Sequence, residues 1–241
     1  MANLIVDIGN TAVKASWSEK MTLGKTFRYQ GEKVRDFILS LTARERPEVM
    51  VVSSVYGISA ADEAVFRDAC GDLLILDSAH TETLVNKGLP THLTYDRAAS
   101  VLAARYLFRG KGCTVVDFGT TLTVDFTGPD GSWTGGNISL GCRTRFKALN
   151  RYSRSLPLID IPEEVPPMGQ SVATSITSGV ISGIIFEIEG YIGLHPDNIL
   201  VFTGGDANYF AKRMKNSIFV VCNLVLMGLA LIADEYVKKN Q

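Results

Sequence analysis

Metal-binding and redox residues are scarce in this chain, with three histidines and four cysteines in 241 residues. Cys70, Cys113, Cys142 and Cys222 lie far apart and form no CxxC pair, and the histidines supply no zinc spacing. Reduced, buried thiols in a cytoplasmic protein are expected. A strong charge of either sign is also lacking. The 24 basic and 25 acidic residues leave a net charge of −1, which gives no electrostatic reason to expect nucleic acid or an anionic membrane as a partner. A membrane span wants roughly 20 unbroken apolar residues. The most apolar candidate, residues 217–233, is interrupted by Asn223 and Gly228 and reads as a buried strand followed by a helix. The N-terminus has no basic region and Asp7 breaks its apolar run, so no signal peptide is expected. Neither GxxxxGK[ST] nor GxGxxG occurs, which removes the usual phosphate-loop and Rossmann signatures.

What the chain does have is a core-forming composition, 46% hydrophobic and 20% charged, and one motif written twice. Residues 114–126 read Thr-Val-Val-Asp-Phe-Gly-Thr-Thr-Leu-Thr-Val-Asp-Phe. Two β-rich runs around a Gly-containing bend predict a hairpin. Its tip offers a carboxylate, hydroxyls and backbone N–H groups, which suit a phosphate chain and its cations. An ordinary hairpin with a polar tip fits the same residues. The earlier stretch 4–17, Leu-Ile-Val-Asp-Ile-Gly-Asn-Thr-Ala-Val-Lys-Ala-Ser-Trp, repeats the order of strand, Asp, Gly and hydroxyl. Asp7 and Asp117 stand 110 residues apart. A repeat of that length predicts two similar α/β lobes, 1–110 and 111–241, with a nucleotide cleft between them and a terminal helix free to pack back across them.

Along the first half, helices are predicted near 34–45, 60–69 and 96–109, with strands at 49–52 and 73–76, while 77–93 reads as irregular. In the second half, a helix near 143–153 aligns Arg143, Lys147, Arg151 and Arg154 on one stripe, either a phosphate clamp or a solvated face. Residues 157–167 are proline-rich and extended. The helix predicted over 171–194 places Ser175, Gly179 and Gly183 four apart, for close packing in the core or at a subunit interface. A strand at 199–202 runs into Thr203-Gly204-Gly205.

Asp7-Ile8-Gly9-Asn10-Thr11, Asp117-Phe118-Gly119-Thr120-Thr121 and Thr203-Gly204-Gly205 together resemble the nucleotide signatures of the acetate and sugar kinase, Hsp70 and actin superfamily. Within it, the chain resembles the type III pantothenate kinases over essentially its whole length. Tyr95-Asp96-Arg97 ahead of an alanine-rich helix, Gly135-Gly136-Asn137-Ile138 with Gly141, Leu156-Pro157-Leu158 and the terminal Leu224–Leu229 run agree. The resemblance implies an α/β, duplicated actin-like ATPase (ribonuclease H-like) fold. It also implies ATP-dependent phosphorylation of pantothenate towards coenzyme A, a homodimer, Mg²⁺ with ATP, and a monovalent cation, K⁺ or NH₄⁺.

The roles it implies fall on particular residues. Asp96 would be the general base, a role that suits a carboxylate facing an alcohol in phosphoryl transfer; an Asp at a helix start is also an ordinary N-cap. Arg97 would bind pantothenate, with Tyr95 and Thr94 beside it. Asp7 would reach Mg²⁺ through water, and Ile8, Gly9, Asn10, Thr11 and Lys14 would form the ATP segment around it. Asp117 would hold the monovalent cation, and Thr120, Gly204 and Gly205 would meet ATP. Three positions on the acceptor side depart from the family pattern. Thr94 stands where glycine is usual, Lys87 where an aromatic contact is expected, and Val172 where a threonine is expected. Two further readings follow: another small-molecule kinase with a changed acceptor pocket, or a catalytically weak nucleotide-binding regulator.

Overall fold

A computed structural model describes residues 2–240. The chain forms β1 (Asn3–Ile8), β2 (Val13–Glu19), β3 (Thr22–Tyr29), α1 (Val34–Thr42), β4 (Val49–Ser54), α2 (Ala60–Asp68), β5 (Asp72–Leu76), α3 (Glu82–Asn86) and α4 (Tyr95–Leu107). There follow β6 (Cys113–Phe118), β7 (Thr121–Thr127), β8 (Trp133–Leu140), α5 (Cys142–Tyr152), α6 (Val172–Leu194), β9 (Ile199–Gly204), α7 (Ala207–Ala211), β10 (Ile218–Val220) and α8 (Leu224–Asn240). Two compact units result, one running to Leu107 and resuming at Asn223, the other spanning Phe108–Cys222.

Each unit is built on one five-stranded sheet, and the two sheets share a plan. The orders are β3-β2-β1-β4-β5 and β10-β9-β6-β7-β8. In the first, β1 pairs antiparallel with β2 and parallel with β4. In the second, β6 pairs antiparallel with β7 and parallel with β9. The central strands are uninterrupted apolar runs because they are covered on both faces. Leu4, Ile5 and Val6 are fully buried, as are Met50, Val51 and Val52 beside them. The second core gathers Val116, Phe118 and Leu122 with Phe202, Phe210 and Ile181.

Residues 22–29 and 133–140 are strands that periodicity did not predict, and both fail for one reason. β3 and β8 are the outer strands of the antiparallel halves. An outer strand needs no continuous apolar run, and here Lys25 and Arg28 or Gly136 and Asn137 dilute the pattern. Within the stretch read as irregular, α3 adds one short helix. Among the described residues, the helix long and apolar enough to resemble a membrane span is α6, not the 217–233 stretch. Buried Ile176, Val180, Ile181, Ile184 and Ile188 tie α6 to the core of its own unit.

The halving of the chain at residue 110 groups residues 224–240 with the second half, with packing back as the option. In the structure α8 packs on α4 and on β1, β2 and β4 of the first unit. Gly228 makes that possible: a Cβ there would collide with the Ala99 backbone. Two helices can approach this closely only where one presents no side chain. The helix that carries Asp96 is thereby clamped from behind.

Candidate functional site

In the first unit, β1 delivers Asp7 to the carboxyl end of its sheet, opposite Lys14 on β2 and Ser53 on β4. A four-residue loop, Gly9 to Ala12, closes the hairpin through a bond from Gly9 N to the Ala12 carbonyl at 3.1 Å. Asp7 is buried while Asn10 and Thr11 are exposed, so a held carboxylate stands behind a loop that solvent can reach. Beside it, Val55 N donates to the Ile8 carbonyl at 3.2 Å and Tyr56 N to Ser54 Oγ at 3.1 Å. The Tyr56 hydroxyl donates to Asn10 Oδ1 at 2.7 Å.

The second unit repeats the arrangement with a tighter loop, only Gly119 and Thr120 between β6 and β7. Asp117 pairs with Thr123 on one side and Thr203 on the other. Gly204 has φ of +91°, and a Cβ there would meet Asp117 Oδ1, with the Phe118 carbonyl oxygen at 2.5 Å and the Phe118 nitrogen at 2.6 Å. Only glycine fits that backbone against that carboxylate. Gly205 N continues the contact by donating to the Phe118 carbonyl at 2.9 Å. Gly141 serves the same tip from α5: its N donates to the Thr120 carbonyl at 3.0 Å, and Thr144 Oγ1 donates to that oxygen at 2.7 Å. Burial pushes the Asp206 carboxyl up from its ordinary value, against the opposing pull of Arg143.

Asp96 lies inside the first turn of α4. Ala98 N bonds to the Thr94 carbonyl at 2.9 Å, so the capping position falls on Thr94. Asp96 is therefore not the N-cap; its Oδ1 accepts from Arg97 N at 2.9 Å, near the helix end where negative charge is favoured. Arg97 is only 9% exposed, so it is not a surface arginine. Tyr95 is buried, its hydroxyl donates to the His80 carbonyl, and burial pushes its pKa up to about 12. Directly before Asp96, Thr94 and Tyr95 line a pocket of about 130 Å³, with Ser54, Val55, Asp77 and His92 among its other walls.

Asp77 was not singled out in the sequence, although it is the first polar residue after the apolar β5. It is 3% exposed and accepts from Ile58 N at 3.2 Å, Ala79 N at 2.9 Å and His80 Nδ1 at 2.8 Å. Burial pushes its carboxyl up, but these donors outweigh burial and hold it below the usual range. Asp77 thus ties the segment after β4 to the turn after β5, beside the pocket.

The family model for type III pantothenate kinase matches residues 3–193. The chain belongs to the type III pantothenate kinase family. It is 37% identical to the type III pantothenate kinase of Phocaeicola vulgatus over 94% of this chain and 96% of that one. It is 34% identical to that of Bacteroides fragilis over 96% and 97%. Among solved structures, a conserved putative Baf family transcriptional activator from Campylobacter jejuni matches with a TM-score of 0.65 at 19% identity, covering 99% of this chain and 100% of that one. The activator of 2-hydroxyisocaproyl-CoA dehydratase from Clostridium difficile, solved with bound ADPNP, matches at 0.60 and 14%, covering 100% and 97%. Those likenesses show the fold: the duplicated α/β fold of actin-like ATPases. Family membership makes the chain an enzyme, a kinase.

The positions expected to depart from the family pattern have distinct surroundings. The Lys87 ammonium pairs with Glu235 of α8, and its carbonyl accepts from Arg105 at 3.1 Å. Val172 opens α6 in the second unit and is 55% exposed. Arg143, Lys147 and Arg151 lie exposed along α5, while Arg154 falls beyond its end. Of the cysteines, Cys70, Cys113 and Cys142 are buried and Cys222 is exposed.

Proposed function

We propose that this kinase transfers the γ-phosphoryl group of ATP to pantothenate, giving 4'-phosphopantothenate for coenzyme A synthesis, with Asp96 as the general base. The observation that carries the assignment is the position of Asp96: within the first turn of α4, freed from capping by Thr94, directly after two residues that line a pocket. A carboxylate there can accept the acceptor hydroxyl's proton. Arg97 beside it supplies a fixed charge for an oxygen-rich acceptor. Asp7, Gly9, Asn10, Thr11 and Lys14 serve the ATP phosphates, and Thr120, Gly204 and Gly205 serve the nucleotide from the second unit.

The donors fit the cations the family implies. Asp7 is a hard oxygen donor suited to Mg²⁺ through water. Asp117 presents its carboxylate where Gly204 leaves room that a side chain would fill, which suits K⁺ or NH₄⁺. Held there, such ions would supply positive charge to balance the phosphates. A cytoplasmic homodimer completes the reading. It is supported by exposed Gly179 and Phe186 on α6 and by exposed Ile138 and Leu140 on the neighbouring β8. The two elements are joined by a bond from Ser139 Oγ to Glu187 at 2.7 Å.

ADP release measured with ATP, Mg²⁺ and K⁺, with and without pantothenate, tests the proposal. Pantothenate-dependent turnover should fall by about 10²- to 10⁴-fold in Asp96→Asn. Omitting K⁺ should suppress it; an unchanged rate would remove the Asp117 assignment. One observation favours a second reading, a changed acceptor: Lys87 is committed to Glu235. Turnover with a different small alcohol and none with pantothenate would establish that reading instead.

A further inference from the structure

The segment Ser54–Ile58 touches both halves of the first unit's site. At its start, Val55 N is bonded to the Ile8 carbonyl and Tyr56 N to Ser54 Oγ. At its end, Ile58 N is bonded to the buried Asp77 carboxylate at 3.2 Å. Ser54 and Val55 line the same pocket as Thr94 and Tyr95, the two residues before Asp96. Between these anchors Tyr56 projects towards the hairpin loop, 58% exposed, with its hydroxyl 2.7 Å from Asn10 Oδ1. An exposed tyrosine held at both backbone flanks and bonded across 46 residues of sequence is more than a solvated ring.

We propose that Tyr56 is a positioning residue for nucleotide binding, acting through Asn10. Its hydroxyl occupies the amide's acceptor oxygen and so turns Nδ2, a pure donor, outward for a phosphate oxygen. A loop with an exposed Asn side chain otherwise samples several rotamers, and ordering it on binding weakens affinity. Tyr56 settles that choice before ATP arrives. The same segment forms part of the pocket wall, so the phosphate-binding loop and the acceptor pocket share one rigid support. The proposal rests on the assignment of Asn10 to ATP phosphates and adds a residue that the three nucleotide motifs do not contain.

Tyr56→Phe keeps the ring and removes only the hydroxyl, so folding should be intact, as an unchanged Tm would show. The KM for ATP should rise about three- to tenfold, the worth of one neutral hydrogen bond, with the KM for pantothenate changed by less than about twofold. In an Asn10→Ala background the same substitution should have no further effect, because the route through Asn10 is already cut. Equilibrium binding of Mg·ATP by wild type and Tyr56→Phe reads the same effect without an acceptor. An unchanged ATP affinity in Tyr56→Phe, or an equal loss in the Asn10→Ala background, would overturn the proposal. Absence of pantothenate turnover in wild type, with the binding difference present, would instead overturn the acceptor assignment and leave Tyr56 in its role.

Discussion

The two hairpin tips are copies in register that are held in place by different means. Ile8 pairs with Ser54 on the neighbouring parallel strand, and Phe118 pairs with Gly204. The next residue in each case, Val55 or Gly205, donates its N–H to the hairpin carbonyl. Beyond that the tips diverge. In the first unit, side chains do the fastening: Ser54 Oγ accepts from Tyr56, and Tyr56 reaches Asn10 over a four-residue loop. In the second, the backbone does most of it: Gly204 and Gly141 admit the two-residue loop by lacking side chains, and Thr144 Oγ1 adds a single side-chain bond to the Thr120 carbonyl. A polar side chain removed from the first tip takes away one bond among several. A methyl added to the second has nowhere to go.

The aspartates themselves should separate most. Asp7→Asn and Asp117→Asn should each lower turnover, on the order of 10²-fold, as for loss of one preorganised electrostatic group. The dependence should split, though. More Mg²⁺ should partly restore Asp7→Asn, and more K⁺ should partly restore Asp117→Asn. Steady-state rates over a grid of the two cations test this, and rescue of both variants by the same ion would break the assignment of distinct cations to the two tips.

The glycine contrast comes next. Gly204→Ala must relieve both a positive φ, at roughly 1–2 kcal/mol, and a collision with the Phe118 backbone, which adds about 1–3 kcal/mol. Ser54→Ala loses a single hydrogen bond, about 1 kcal/mol. Chemical denaturation should therefore show Gly204→Ala the more damaging by at least about 1 kcal/mol. Equal losses would mean that the second tip relaxes as readily as the first.

This difference also explains what could be read in the sequence. The paired hairpins, both aspartates and Thr203-Gly204-Gly205 were legible because strand, carboxylate and glycine recur in one order. Family resemblance was needed to single out Asp96, since a helix-start Asp is ordinarily a cap, and only the bond from Ala98 N to Thr94 shows that the cap lies two residues earlier. Tyr56 and Asp77 stayed hidden because what marks them is a partner distant in sequence: Asn10 for one, Ile58 for the other. β3 and β8 stayed hidden because outer strands do not carry the apolar run that betrays a central one. Side-chain fastening is thus the less legible of the two designs, and glycine punctuation the more legible.

The contrast extends to two carboxylates shifted in opposite senses, one beside each tip. The donors around Asp77 outweigh burial and hold its acidity strong. A lowered value stabilises the fold at pH above the unfolded-state value of about 3.9, and that contribution is lost as pH falls through the folded-state value. Asp206 is raised by burial, so it behaves oppositely: the folded state prefers it protonated, and that contribution is present below the unfolded-state value and lost as pH rises through the folded-state value. At pH 7, Asp77→Asn should destabilise by about 2 kcal/mol, because its N–H donors lose a charged acceptor. Asp206→Asn should instead stabilise, by roughly half a kcal/mol as befits a half-buried site. Near pH 4 the Asp206→Asn gain should fade as the wild-type carboxyl takes up its proton. Thermal unfolding of both variants across that range gives the answer, and a destabilised Asp206→Asn at neutral pH would show that Arg143 holds Asp206 charged after all, making the second tip's support as dependent on side chains as the first.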